Sequence, residues 1–171
     1  MKKRFFFCPW CGGRLSYRRQ GDRRRLTCDS CGRILYENPV VGVAAVVFDG
    51  EGRILLGRRN GSCRGLWCIP CGYVEYDEDV YEAVVREFKE ETNLDISITG
   101  LLAVHSNFHN PDSHTVGIWF GAEVTGGDLR AQGDLDRVGF FPLDQLPPLA
   151  FPTDEKVIKE LALTGQPDKN S

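Results

Sequence analysis

The sequence predicts a mixed α/β sandwich preceded by a small cysteine-rich ribbon. Three observations predict it. Two C-x-x-C pairs, Cys8/Cys11 and Cys28/Cys31, fall within the first 31 residues, and composition changes near residue 40. Val40 to Phe48 is a nearly continuous apolar, β-branched run, the pattern of a strand covered on both faces. Further strand-like stretches alternate with segments of helical spacing at 79–92 and 153–163.

The 171 residues suit one main domain plus an appendage, and a hydrophobic content of 42% supports a real core. No apolar run approaches the length needed to span a bilayer. The start, Met1 to Phe7, only faintly imitates a signal peptide before running into Cys8-Pro9-Trp10-Cys11, so a cytoplasmic protein is expected. Residues 1–40 hold 10 Lys/Arg against 3 Asp/Glu, a formal +7, and residues 41–171 hold 11 against 21, a formal −10. This shift places a domain boundary near residue 40.

Gln20-Gly21-Asp22 reads as the tip of a hairpin between two short strands. Tyr36-Glu37-Asn38-Pro39 reads as a linker. Val40–Phe48 and Arg53–Arg58, joined by the turn Asp49-Gly50-Glu51-Gly52, are expected to form a second hairpin. Residues 79–92 lack Gly and Pro, and Tyr81, Val84, Val85 and Phe88 fall on one helical face. Leu94–Phe108 and Thr115–Val124 are expected strands, with Gly126-Gly127 a turn and Val138–Phe141 a short strand. Thr153 is placed to cap the last helix, with Asp154 and Glu155 in its first turn.

Cys8-x-x-Cys11 and Cys28-x-x-Cys31 have the spacing of a four-cysteine structural Zn²⁺ site. Gly12 and Gly32 follow the second cysteine of each pair and permit the tight turn of a knuckle. Four thiolates close the tetrahedron, so the metal serves folding rather than chemistry. Between the knuckles lie Arg14, Arg18, Arg19, Arg23, Arg24 and Arg25. They read either as a nucleic-acid patch or as a solvated hairpin face. The second reading is favoured, because no aromatic ring beyond Tyr17 is interleaved with them.

Glu87, Glu90 and Glu91 stand at i, i+3 and i+4, so a helix over 79–92 puts them on one face. Three like charges repel, and hard divalent cations such as Mg²⁺ or Mn²⁺ make such a cluster favourable. Arg86 can orient or neutralise a carboxylate. Glu78, at the helix start, reads as structural. The cysteines Cys63, Cys68 and Cys71 read as free thiols. His105, His109 and His114 lack a ligand spacing and read as loop or edge-strand residues.

The stretch from Gly72 through Glu78 to Arg86-Glu87-Phe88-Lys89-Glu90-Glu91-Thr92-Asn93-Leu94 resembles the Nudix box, G-x5-E-x7-R-E-U-x-E-E-x-G-U. Gly72, Glu78, Arg86, Glu87, Phe88, Glu90, Glu91 and Leu94 match it. Asn93 replaces the usual Gly at a helix-ending position that needs a left-handed conformation, for which Asn is the next best residue. Gly65-Leu66-Trp67, Pro70 and Ala150-Phe151-Pro152-Thr153-Asp154 also look familial. The ribbon with Tyr36-Glu37-Asn38-Pro39 resembles the zinc-ribbon branch, which includes NADH, ADP-ribose and FAD pyrophosphatase-like proteins.

The resemblance implies the Nudix α/β/α sandwich with a mixed sheet over residues 37–164 after a zinc ribbon over 1–36, and the terminal residues 165–171 are expected to form a disordered tail. It implies a metal-dependent nucleotide pyrophosphatase in which water attacks a phosphorus. By resemblance Glu87, Glu90, Glu91 and the Cys71 backbone carbonyl hold Mg²⁺ or Mn²⁺, and Glu87 is a candidate base. Glu123, Asp134 and Asp136 are further candidates for the base or an added ligand. Arg58 and Arg59 can grip a phosphate or be surface charges. Phe108, Trp119 or Tyr73 can stack a base, although aromatics in strands more often serve a core. The Ser-Gln-Pro-Trp-Pro-Phe-Pro stretch of NADH pyrophosphatases is missing, so ADP-ribose or FAD is favoured over NADH. A small-molecule nucleotide is the expected partner, with no membrane and no nucleic acid, and a homodimer is compatible. The rival reading is a catalytically idle Nudix fold that senses a nucleotide or binds nucleic acid through the ribbon.

Overall fold

The computed structural model describes residues 4–164; the tail expected over 165–171 lies outside the described residues. The chain forms two compact units, residues 1–38 and 39–171. The first is a three-stranded antiparallel sheet of β1 (Leu15–Gln20), β2 (Arg23–Cys28) and β3 (Ile34–Leu35), in that order. Its hairpin turns at Gly21, whose φ of +62° favours glycine. Its core is only Cys8, Leu15, Leu26 and Cys28, with Tyr17 and Leu35 packed beside them. That is too little apolar surface for independent stability.

The second unit contains β4 (Val40–Val47), β5 (Ile54–Arg59), β6 (Trp67–Cys68), β7 (Cys71–Tyr73), α1 (Val80–Thr92), β8 (Leu94–Asn107), β9 (Thr115–Gly127), β10 (Leu135–Phe141) and α2 (Pro152–Thr164). One sheet runs β7-β4-β9-β8 and is mixed, because β4 and β9 are parallel while the other pairs are antiparallel. The second runs β10-β5-β6 and is antiparallel. Strand side chains alternate between faces. Val43, Ala45 and Val47 of β4 therefore join Ala83, Val84 and Phe88 of α1 in one buried cluster. Ala44 and Val46 point the other way and pack with Val157 and Ile158 of α2. The two helices thus cover opposite faces, which is the predicted sandwich. Among the described residues no helix is long and apolar enough to cross a membrane.

Five local expectations need correction. β4 and β5 do not form a hairpin: they belong to different sheets and share one bridge, Phe48 to Ile54. Both strands are buried on both faces, so each takes its own two neighbours after the turn. That turn is held by Asp49, whose carboxylate accepts from the Glu51 and Arg53 N–H groups. On α1 the buried face is Ala83, Val84 and Phe88, whereas Tyr81 is exposed. Gly126 and Gly127 end β9 instead of forming a separate turn, and β10 begins three residues before Val138. Thr153 is not a cap, because α2 starts at Pro152, whose fixed φ and missing N–H suit a first turn.

Candidate active site

Helix α1 starts at Asp79, whose carboxylate accepts from the Tyr81 N–H at 2.8 Å. It ends at Asn93 in the left-handed region, φ 60°, so asparagine does the work expected of glycine there. Between these ends Glu87, Glu90 and Glu91 share the face turned to a cavity of about 540 Å³. The cavity is also lined by Cys71, Gly72, Arg59 and Asp134.

Arg86 organises the carboxylates. Its guanidinium grips Glu78 through two hydrogen bonds of 2.6 and 2.8 Å. It also reaches Glu87 at 2.9 Å, Glu90 at 3.4 Å and the Tyr73 carbonyl at 3.2 Å. The Arg86 guanidinium holds Glu78 down at about 2. Glu78 thus stays ionised and steers Arg86, in keeping with a structural role. Among the described residues the four ribbon cysteines are the set of ligand atoms gathered within 4.8 Å of one another.

Glu91 differs from its neighbours. It is 4% exposed, and one oxygen accepts from the Cys71 N–H at 2.8 Å. Burial pushes it up to about 8, against the pull of that N–H and of Arg59. A buried carboxylate with no ion-pair partner among the described residues, beside two more carboxylates, fits a hard cation. Gly72 makes room for this arrangement. A Cβ there would fall on the Glu87 carboxylate. Gly72→Ala is therefore expected to displace Glu87 and lower kcat about 100-fold, with the melting transition much less affected. Steady-state kinetics beside a thermal melt would check this; wild-type kcat in the variant would refute it.

Arg59, at the end of β5, is 8% exposed and faces the cavity. Its Nε donates to the Ser62 carbonyl at 2.8 Å, and its guanidinium lies 5.2 Å from the Phe151 ring centroid. Its nearest carboxylate, Asp134, is 4.0 Å away. Arg58 is placed differently: it makes a bidentate pair with Asp136 at 2.7 and 2.9 Å and does not line the cavity. Trp119 lines the cavity but is buried, with its indole N–H given to Asp154 at 3.2 Å. Tyr73 lines the cavity and is exposed. Phe108 is exposed and edge-on to His114, outside the cavity lining. Glu123 lines another cavity, with Phe48 and Asp49. Of the added carboxylates considered, Asp134 alone faces the site.

The four ribbon sulfurs lie within 4.8 Å of one another, with Cys8 to Cys31 at 3.8 Å and Cys11 to Cys28 at 3.5 Å. Gly12 and Gly32 take φ of +73° and +74° in the knuckles, as their positions demanded. N–H groups of Cys31 and Ser30 pull the Cys28 thiol down to about 6, toward the thiolate that ligates metal. Of the other thiols, Cys63 and Cys71 line the cavity: Cys63 is exposed, while a hydrogen bond with Cys68 and burial raise Cys71; Cys68 is buried against the Arg59 guanidinium at 3.8 Å. His105 pairs with Glu160 at 3.0 Å, and His109 lines the cavity.

Sequence reasoning missed Ser62, and it noted Phe151 and Asp154 only within a familial segment, with Asp154 as a helix-start charge and neither given a role at the site. Asp154 is 2% exposed, accepts from the Ile69 N–H at 3.0 Å, and ties α2 to the chain just before Cys71. Burial pushes it up to about 7. Its folded value exceeds its unfolded one, so the folded state holds the extra proton. That contribution is full below about pH 4 and is lost as pH rises through about 7. Its full swing is bounded by roughly 4 kcal/mol, at about 1.4 kcal/mol per pH decade. Asp154→Asn forfeits one hydrogen bond, about 1 kcal/mol, but should flatten Tm against pH between about 4 and 7. Unchanged pH dependence in the variant would refute this assignment.

Three carboxylates on one helix face and a buried arginine, lining one cavity of an α/β sandwich, are the groups of a metal-dependent hydrolase of phosphoanhydrides. Residues 38–161 match the NUDIX domain model and residues 7–37 the Nudix N-terminal zinc-ribbon model, so the chain belongs to the Nudix hydrolase family. An ADP-ribose pyrophosphatase of Methanocaldococcus jannaschii is 41% identical over 127 residues, 74% of this chain and 75% of that one. The NAD-capped RNA hydrolase NudC of Chromobacterium violaceum is 33% identical over 148 residues, 85% of this chain and 53% of that protein. The crystal structure of a NUDIX hydrolase from Nitrosomonas europaea superposes with a TM-score of 0.81 at 31% identity, covering 95% of each chain.

Proposed function

We propose that this chain hydrolyses the pyrophosphate of an ADP-ribose- or FAD-like nucleoside diphosphate in preference to NADH. The observation that carries the reading is the convergence of Glu87, Glu90 and Glu91 with Arg59 around one cavity of about 540 Å³. Glu87, Glu90, Glu91 and the Cys71 carbonyl would hold Mg²⁺ or Mn²⁺, and the four ribbon cysteines Zn²⁺. When bound, the hard cations neutralise diphosphate charge and lower the pKa of the attacking water. Arg59, steered by Ser62 and Phe151, grips the diphosphate. Arg86, gripped by Glu78, orients Glu87 and Glu90. Glu87 and Asp134 line the cavity where a water proton must be taken, and the base is one of them. Exposed Tyr73 is the ring best placed to stack a nucleobase at the cavity.

A pyrophosphatase panel with product identification tests the reading. AMP and ribose 5-phosphate should appear from ADP-ribose with Mg²⁺, and kcat/KM for ADP-ribose or FAD should exceed that for NADH by about tenfold, a difference of about 1.4 kcal/mol. No metal-dependent nucleotide release from any of ADP-ribose, FAD, NADH, dinucleoside polyphosphates or nucleoside triphosphates would overturn it.

A further inference from the structure

We propose that the outer face of the N-terminal ribbon binds single-stranded nucleic acid through aromatic rings flanked by arginines. Along the chain the arginines stand without rings beyond Tyr17, but the sheet brings rings to them. Arg18 lies opposite Arg25, and Leu26 opposite Leu35, so the pair one step outward is Arg25 and Tyr36. Cross-strand partners share a face, and so do residues two apart. Arg18, Arg23, Arg25 and Tyr36 therefore stand on the face away from the buried Leu15, Leu26 and Cys28.

The register yields the Arg25–Tyr36 pair, and the ribbon carries a further pair, Arg33 with Trp10, outside its strands. The Arg25 guanidinium lies 5.0 Å from the Tyr36 ring centroid, and Tyr36 is 58% exposed. The Arg33 guanidinium lies 5.4 Å from the Trp10 ring centroid, and Trp10 is 53% exposed. A guanidinium on one side of a ring leaves its other side for a base, and base stacking tolerates any sequence. Charge selects the occupant. Residues 1–38 hold 10 Lys/Arg against 3 Asp/Glu, and of the acids Asp29 already pairs with Arg18 at 2.6 Å. Four thiolates with one divalent metal take the formal +7 to +5. A second copy of this positive face would be repelled, whereas a polyanion releases counterions on binding. Stacking requires unpaired bases, which excludes a duplex.

Fluorescence anisotropy of the full-length, zinc-loaded chain tests this without added Mg²⁺, using fluorescein-labelled oligo(U) and oligo(dT) of about 12 nucleotides. Both should bind. The dissociation constant should rise about tenfold between about 50 and 200 mM NaCl, for a log–log slope of about −0.7 per phosphate contacted. Tyr36→Ala, and Trp10→Ala with Tyr36→Ala, should weaken binding about tenfold per ring at unchanged salt slope. Arg23→Ser with Arg25→Ser should lower the slope. All variants should keep their zinc content and ADP-ribose turnover. No anisotropy change at about 100 µM protein and low salt would overturn the proposal. So would equal binding to a duplex, or wild-type binding by zinc-loaded Tyr36→Ala. A dimer dissolved by the ring variants while oligonucleotide binding stays unaltered would assign the rings to a second copy and likewise overturn it.

Discussion

Glu90→Gln is expected to reduce turnover at least 1,000-fold while the protein remains folded, a loss of about 4 kcal/mol of transition-state stabilisation. The expectation follows from where Glu90 sits. Its side chain is 59% exposed, so an amide of the same shape costs little packing. Its one described partner is Arg86 at 3.4 Å, a long surface contact that contributes little to stability. Yet it lines the cavity with Glu87 and buried Glu91, where a neutral amide is a far poorer ligand for a hard cation than a carboxylate. Kinetics over a range of Mg²⁺ or Mn²⁺ concentrations, beside a thermal melt, read both parts. Full activity at saturating metal would remove Glu90 from the site. Lost activity together with lost folding would return the residue to a structural role.

Cys28→Ser should unfold the ribbon while the unit from residue 39 keeps its melting transition. Cys28 is 1% exposed and is one of four sulfurs gathered within 4.8 Å. The ribbon's buried cluster contains only two aliphatic side chains, Leu15 and Leu26. Structural zinc binding supplies about 10–16 kcal/mol in comparable modules, more than such a core can replace. Metal analysis should show zinc lost. Trypsin should cut at Arg18, Arg19, Arg23, Arg24 and Arg25, which the folded hairpin protects by its pairing. Retained protease resistance in a zinc-free variant would show that the strands fold unaided.

Much of the site was legible because its chemistry is carried by short spacings. Glu78 and Arg86 find each other across one turn and part of one helix, and Glu87, Glu90 and Glu91 across a single helical turn. Asn93 was readable because only its own backbone conformation matters. The hairpin expected of β4 and β5 failed for the converse reason. Strand pairing depends on distant neighbours, here β9 for β4 and β10 for β5, which no local turn signal reveals.

By itself the sequence determined the family, the four-cysteine ribbon, and the carboxylate helix with its stop at Asn93, since residue type and local periodicity are written in consecutive residues. The tertiary structure alone decided which of two adjacent arginines serves the cavity. Consecutive strand residues point to opposite faces, so Arg58 meets Asp136 while Arg59 turns inward to Phe151. It alone placed Asp154, 85 residues from the Ile69 N–H it holds, and set Tyr36 on Arg25. Such contacts join side chains far apart in the chain, and only the packing of whole elements brings them within reach.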